Sequence, residues 1–252
     1  MKKSCTVIIH TRNEEDSIKE CIESARLLSE DIHIIDMESV DKTKEIALEN
    51  HASVYSFAPS QYVEPSREFG ISTSKTDWVF ILDSDERMTQ ELADEIKSII
   101  QQKNCTHYKI PRKNIFGRKK WLRWGGWYPD YQIRLIQKSS FVRWNRRIHS
   151  SPEIKGLCGV LHTPFIHYFH PSLENMVGKT IRYEHIEALL LFNARKKVSI
   201  FTFFRKFAGE LYRRLIRHLG FLDGSYGIIE SIYQAFSKTI TYLFLYEKNR
   251  GV

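Results

Sequence analysis

Cysteine is scarce in this chain, and its placement excludes two common devices of small domains. The four cysteines, Cys5, Cys21, Cys105 and Cys158, include no C-x-x-C pair, so neither a zinc site nor a disulfide framework is supported. They read as reduced core thiols of a cytosolic protein. Long apolar runs are missing as well. The longest, 188–192 and 242–246, fall far short of the roughly 18 residues a membrane helix requires. The apolar run near the N-terminus is too short for a signal peptide. There is no internal repeat and no low-complexity tract. Acids are nearly absent from one stretch: residues 103–150 hold 13 Lys/Arg and a single acid, Asp130, whereas residues 1–102 hold 11 Lys/Arg and 21 Asp/Glu. The net charge of +8 therefore hides an acidic part joined to a basic part, which implies different partners for each.

Periodicity organises the first hundred residues. Residues 6–11, 32–35, 53–56 and 78–82 are short β-branched or aromatic runs of the kind that form buried strands. Between them lie helical patterns. Asn13 is placed to cap a helix carrying Ile18, Cys21, Ile22, Ala25 and Leu28, and Asp41 to cap one carrying Ile46 and Ala47. Pro65 suits the first turn of a helix over 65–74. Thr89 precedes a helix with Leu92, Ile96, Ile99 and Ile100. Strands alternating with helices predict an α/β fold with a doubly wound, mostly parallel sheet, in which ligands bind beyond the carboxyl ends of the strands. His10–Glu14, Asp36–Asp41 and Asp83–Arg87 all fall at such ends.

The most chemical of these ends is Asp83-Ser84-Asp85-Glu86. A buried strand delivers Asp83 and Asp85 with one residue between them, so both lie on one side of an extended chain. Oxygen ligands on a short loop suit Mg²⁺ or Mn²⁺ held together with substrate phosphates. A capping role for either aspartate is the alternative. An ATPase reading fails, because no G-x-x-x-x-G-K-[ST] loop exists.

In combination these segments resemble glycosyltransferase family 2 with its GT-A fold. The likeness is carried by Thr11-Arg12-Asn13-Glu14, by Asp36-Met37-Glu38-Ser39-Val40-Asp41-Lys42-Thr43, by Asp83-Ser84-Asp85-Glu86, by Tyr128-Pro129-Asp130-Tyr131-Gln132-Ile133-Arg134-Leu135 and by Ile148-His149. It is similar above all to the branch of bacterial lipopolysaccharide-core β-glucosyltransferases, to which His167-Tyr168 and Gly220-Phe221-Leu222-Asp223-Gly224 add. The resemblance implies that Thr11, Asn13 and Glu14 line a nucleoside pocket, that Asp36 accepts from the base, and that Arg67 approaches the nucleotide. It implies further that Asp83 sits near ribose and metal and that Asp85 binds the metal. His149 or His167 would complete the metal or diphosphate site, with a packed neutral histidine as the alternative for each. Two departures stand out. The family's D-x-G-S-x-D loop lacks its glycine, with Glu38 in that place, and Ser150 follows His149 where the branch has Glu.

Inverting sugar transfer needs a carboxylate to take the acceptor proton while the diphosphate leaves from the opposite face. Asp130 is the preferred general base and Glu153 the second candidate. A structural ion pair of Asp130 with Arg134 or Arg123 is the competing reading. Arg134 and Gln132 are candidates to contact the leaving diphosphate or the acceptor.

The expected organisation is a GT-A catalytic domain over 1–170, with a nucleotide-binding half (1–102) and an acceptor half (103–170), followed by a basic amphipathic helical region over 171–252. Phe204, Phe207, Ala208, Leu211, Leu215 and Leu219 follow one helical face, with Lys206, Arg213, Arg214 and Arg217 largely away from it. That pattern suits a helix lying on an anionic membrane, or one packed on the catalytic domain or on a second copy of the chain. The expected partners are a UDP-sugar donor, a glycan or glycolipid acceptor such as lipopolysaccharide core, and the membrane surface. The expected place is cytoplasmic, peripheral on the inner face of the cytoplasmic membrane. A non-enzymatic basic protein binding membrane or nucleic acid is the rival; it leaves Asp83 and Asp85 unexplained.

Overall fold

The computed structural model describes residues 4–60, 63–102, 104–144, 151–169 and 173–250. The chain forms two compact units, one of residues 1–112 and 130–167, the other of residues 113–129 and 168–252. The sequence reading grouped 113–129 with the acceptor half; in the structure they cluster with the C-terminal helices.

The first unit opens with β1 (Cys5–Thr11), α1 (Ile18–Ala25), β2 (Ile32–Asp36), α2 (Thr43–Glu49), β3 (Ser53–Ser56), α3 (Glu64–Thr73) and β4 (Trp78–Asp83). β5 (Glu86–Arg87), α4 (Gln90–Ile99) and β6 (His107–Phe116) follow. After β7 (Lys120–Trp121) come β8 (Asp130–Gln137), β9 (Phe141–Trp144), β10 (Pro152–Ile154), β11 (Cys158–Val160) and β12 (Phe165–Phe169). The sheet runs β3-β2-β1-β4-β8-β6-β12-β5. β3, β2, β1 and β4 are mutually parallel, and β8 and β6 join antiparallel. The order reverses at β1, whose neighbours are β2 on one side and β4 on the other. That makes the carboxyl end of the β1/β4 pair the topological switch point where α/β sheets bind ligands. Register fixes what meets there: Thr11 pairs with Asp36, and His10 with Asp83.

Both faces of this sheet are covered, which is why its strands read as unbroken apolar runs. Val7, Ile9, Phe80 and Leu82 pack with Ile18, Cys21, Ile22, Leu92 and Ile96 of α1 and α4. Ile8, Ile35, Val79 and Ile81 pack with Ile71 of α3 and Trp144 of β9. Each such side chain contributes about 1.5–3 kcal/mol on full burial. α3 approaches so closely that a methyl group on Gly70 would stand 2.9 Å from Ile8 Cγ2 and 3.0 Å from His10 Nε2.

Two local expectations are corrected. Asn13 does not cap α1: it is left-handed (φ 55), and its Oδ1 accepts from Val40 N–H at 2.9 Å. α1 starts at Ile18, after Ser17. Asp41 acts one step earlier than a simple cap, accepting from Thr43 N–H and Glu15 N–H, while Thr43 Oγ1 accepts from Glu14 N–H. The loops after β1 and β2 are thus laced to each other. Glu38, in place of the family's glycine, also adopts φ 55. The loop keeps the glycine conformation without the glycine, at a cost of about 1–2 kcal/mol. Thr89 does cap α4, its hydroxyl accepting from Leu92 N–H at 3.2 Å. Of the cysteines, Cys5 and Cys21 are core, but Cys105 is half-buried and Cys158 exposed.

The second unit contains α5 (Leu173–Asn193), α6 (Ile200–Leu211) and α7 (Ser225–Arg250). Among the described residues no helix is long and apolar enough to cross a membrane. The single face expected over 204–219 is interrupted, because α6 gives way to a π-helical turn at Tyr212–Arg217. Leu219 then takes φ 57. Arg213 and Arg214 both pair with Glu210. Asp223 anchors the loop 122–129, its Oδ2 accepting from Trp124 N–H at 2.8 Å.

Candidate active site

Three of the carboxylates that the sequence places in or beside this region stand in one chain of alternating charge, all within the first unit. Arg67 Nη2 lies 3.0 Å from both oxygens of Asp83. Arg134 Nη2 donates to Asp83 Oδ2 at 2.8 Å and to Glu86 Oε1 at 2.5 Å. Arg112 stands 3.6 Å from Glu86 and donates to Asp130 Oδ2 through Nη2 at 2.7 Å and Nε at 2.8 Å. Gln132 Nε2 donates to Asp130 Oδ1 at 2.8 Å. The ion pair weighed for Asp130 therefore exists, but its partner is Arg112 rather than Arg134 or Arg123.

Electrostatics follow from this order. Burial pushes Asp83 upward, but the Arg134 and Arg67 guanidiniums outweigh it and hold the carboxyl well below the usual range. Glu86 is fully buried, and desolvation raises it in spite of Arg134. Arg134, 4% exposed, is raised by Asp83 and Glu86 against its own burial. His10 is lowered to about 3 by burial and by the nearby Arg67 charge, so it is a neutral ring beneath the ion pairs.

Several buried polar atoms at or beside these strand ends have no protein partner among the described residues: Thr11 Oγ1, Asp36 Oδ1, Arg67 Nη1 and Arg134 Nε. Leaving such a group unpaired costs about 1–3 kcal/mol, and native proteins rarely tolerate several together unless a ligand satisfies them. Asp36 is the clearest case. It is wholly buried, its Oδ2 accepts from Ser39 N–H and faces Lys44 at 3.2 Å, and its Oδ1 is left over.

The second aspartate of the loop goes elsewhere. Asp85 Oδ2 stands 3.5 Å from His167 Nε2, because β5 pairs antiparallel with β12 and sets His167 opposite Glu86. No group of three His, Cys, Asp or Glu able to hold a metal occurs among the described residues. A four-ligand structural zinc site does not fit. A hard divalent cation that leaves most positions to phosphate oxygens and water does, with Asp85 and His167 as the protein's donors. Asp83, engaged on both oxygens by guanidiniums, is placed to position rather than to ligate.

The other predicted residues separate. Glu14 Oε2 accepts from Ser17 Oγ at 2.8 Å. Glu153 sits on the small β9–β10 hairpin and pairs with Arg143 at 2.7 Å, both half or more exposed. Position 149 lies outside the described residues. Sequence reasoning missed Glu86, Arg112 and His10. The third acid of the Asp83–Glu86 run was a signal for Glu86. Arg112 was one cation among many.

A switch point between β1 and β4, helices on both faces and an antiparallel β8–β6 extension make this a GT-A fold, the architecture of nucleotide-sugar glycosyltransferases. The model described as glycosyl transferase family 2 matches residues 6–152, more than half of the chain, and the chain belongs to that family. It is a glycosyltransferase. An uncharacterised glycosyltransferase of Rickettsia typhi is 29% identical over 100% of this chain and 90% of its own length. One of Rickettsia prowazekii is 27% identical over 94% and 85%. Among solved structures, S. aureus TarS 1–349 in complex with UDP-GlcNAc aligns over 98% of this chain and 92% of that one, with a TM-score of 0.52 and 14% identity. That likeness is one of fold.

Proposed function

We propose that the protein is an inverting hexosyltransferase that takes a UDP-sugar with Mg²⁺ or Mn²⁺ and transfers glucose or a related hexose to a hydroxyl of a lipid-linked or cell-surface glycan, such as lipopolysaccharide core. The observation that carries the donor half is the set of unpaired buried polar atoms at the carboxyl ends of β1 and β2 and on α3 and β8. Asp36 Oδ1 accepts from an N–H of the base, and Thr11 Oγ1 binds the nucleoside. Arg67 Nη1 and Arg134 Nε donate to donor oxygens. Asp85 and His167 would hold the cation, which when bound would supply positive charge to the leaving diphosphate. Asp130 takes the acceptor proton, and Gln132 fixes the rotamer of its carboxylate.

The expected result is a rise in melting temperature with UDP-glucose and Mn²⁺. At a donor concentration of 100 times Kd the stabilisation is about 2.7 kcal/mol, or about 5–10 °C for a chain of this size. Asp85→Ala should abolish the Mn²⁺-dependent part. A screen of nucleotide sugars that moves the wild-type melting point nowhere would end the donor assignment.

The acceptor half of the proposal includes attachment to the inner face of the cytoplasmic membrane through the second unit. α6 leaves Phe201 79% and Phe204 71% exposed, an apolar stripe unusual on a solvated helix. The basic side is weaker than the sequence pattern indicated, because Glu210 engages Arg213 and Arg214 and Lys206 lies 5.1 Å over the Tyr242 ring. Binding to anionic vesicles is therefore expected to survive moderate salt and to fall several-fold in Phe201→Ser/Phe204→Ser. Absence of co-sedimentation of the wild-type chain with such vesicles would refute it.

A further inference from the structure

Within the second unit, Arg123, Trp124, Tyr128, Arg217, His218 and Leu219 line a cavity of about 240 Å³. Among the described residues no carboxylate lines it. Two guanidiniums without an acid between them make a positive recess even when the imidazole is neutral, and arginine's planar fork matches phosphate oxygens two at a time. The same recess offers aromatic surface: Trp124 is 41% exposed, and Tyr128 stands edge-on to Trp121 with ring centroids 5.3 Å apart. Arg123 is held 4.3 Å over the Trp121 ring, which limits its rotamers without neutralising it.

The walls are built rather than incidental. Gly125 N–H donates to His218 C=O at 2.8 Å, and Arg214 Nη1 donates to Gly125 C=O at 3.2 Å. Trp124 is fixed through its N–H on Asp223. Gly125 (φ 67), Gly126 (φ 80) and Leu219 (φ 57) all take left-handed conformations. For Leu219 this costs about 1–2 kcal/mol, and strain of this kind persists where the surrounding structure over-determines it, a situation that clusters at ligand sites. The recess is of the size of one monosaccharide with its phosphate.

We propose that this cavity binds a phosphorylated sugar, with Arg123 and Arg217 on the phosphate and the sugar ring against Trp124 and Tyr128. Resting on the transferase reading above, the ligand is the anionic sugar unit of the acceptor glycan. The phosphate-binding part stands on the cavity alone.

Calorimetry on the full chain with glucose 6-phosphate, glucose and inorganic phosphate tests it. Glucose 6-phosphate is expected to bind at least tenfold tighter than either of the others. Arg123→Gln and Arg217→Gln, both at exposed positions, should each remove about tenfold or more of that preference. Trp124→Leu should weaken the sugar phosphate while leaving inorganic phosphate unchanged. Equal binding of glucose and glucose 6-phosphate overturns the proposal, as does indifference to both arginine substitutions. If the arginine variants instead lose only binding to phosphatidic-acid vesicles, the anion is a lipid headgroup and the sugar assignment fails. UDP-glucose uptake with Mn²⁺, measured on the same samples, separates the two readings. Donor bound without sugar phosphate sinks this site alone; sugar phosphate bound without donor sinks the UDP-sugar donor reading and leaves the site.

Discussion

Asp130→Asn should lower kcat by about 10²–10⁴, the range a positioned general base supplies, equivalent to about 3–5 kcal/mol of barrier. UDP-sugar binding should stay within a few-fold of wild type, because none of the unpaired donor-side atoms belongs to Asp130. The direction follows from what the carboxylate touches. Both oxygens already accept from donors, Oδ2 from Arg112 and Oδ1 from Gln132. Asparagine can mimic one oxygen, but it cannot accept a proton and it turns an amide toward a guanidinium. Glu153→Gln is the matched control. Its partner Arg143 is a solvent-exposed residue, and exposed pairs of this kind contribute about 0–1 kcal/mol, so turnover should change less than twofold. Loss of turnover in Glu153→Gln together with an active Asp130→Asn would transfer the role of base to Glu153.

That assignment shows how far the sequence reached. The parallel strands and their helices were legible because each buried strand is a continuous β-branched or aromatic run, and because Thr89 and Pro65 mark helix starts by local chemistry alone. Strand ends were legible for the same reason: Asp36 and Asp83 are the polar residues at which apolar runs stop. What lay outside reach was pairing across distance. Arg134 meets Asp83 and Glu86 from 51 and 48 residues away, and Arg112 meets Asp130 across an antiparallel register. In a stretch with 13 Lys/Arg nothing local singles out the two that turn inward. Backbone exceptions were hidden too. Asn13 reads as a cap by type but is held left-handed by the neighbouring loop. A smooth apolar period over 204–219 cannot reveal a π-turn, because that reading assumes 3.6 residues per turn throughout, whereas the wider turn at Tyr212–Arg217 rotates the later positions off the face.

Arg134→Met should destabilise the fold by about 3–5 kcal/mol, the cost of removing one partner from a buried ion pair. The melting temperature would fall by about 6–20 °C at 2–4 °C per kcal/mol. One guanidinium serves two carboxylates here, and the worse placed of them is Glu86, wholly buried and 3.6 Å from its other cation, Arg112. Asp83 keeps Arg67. The loss should therefore depend on pH through Glu86. Burial has already raised this carboxyl above its ordinary value of 4.5, and deleting Arg134, which lowers it, raises it further. A carboxyl raised in the folded state stabilises below its unfolded pKa and loses that contribution as pH rises through the folded one. The deficit of Arg134→Met should thus be smallest near pH 5, where Glu86 can take up a proton, and should grow toward pH 8. Adding Glu86→Gln removes the stranded charge, so the double variant should recover part of the deficit at pH 8 and little at pH 5. Thermal melts of wild type, Arg134→Met and the double variant at both pH values, without nucleotide, read this directly. A single variant within 1 kcal/mol of wild type at pH 8, or a deficit that shrinks as pH rises, would mean that Arg134 is not what keeps two carboxylates ionised beneath the donor site.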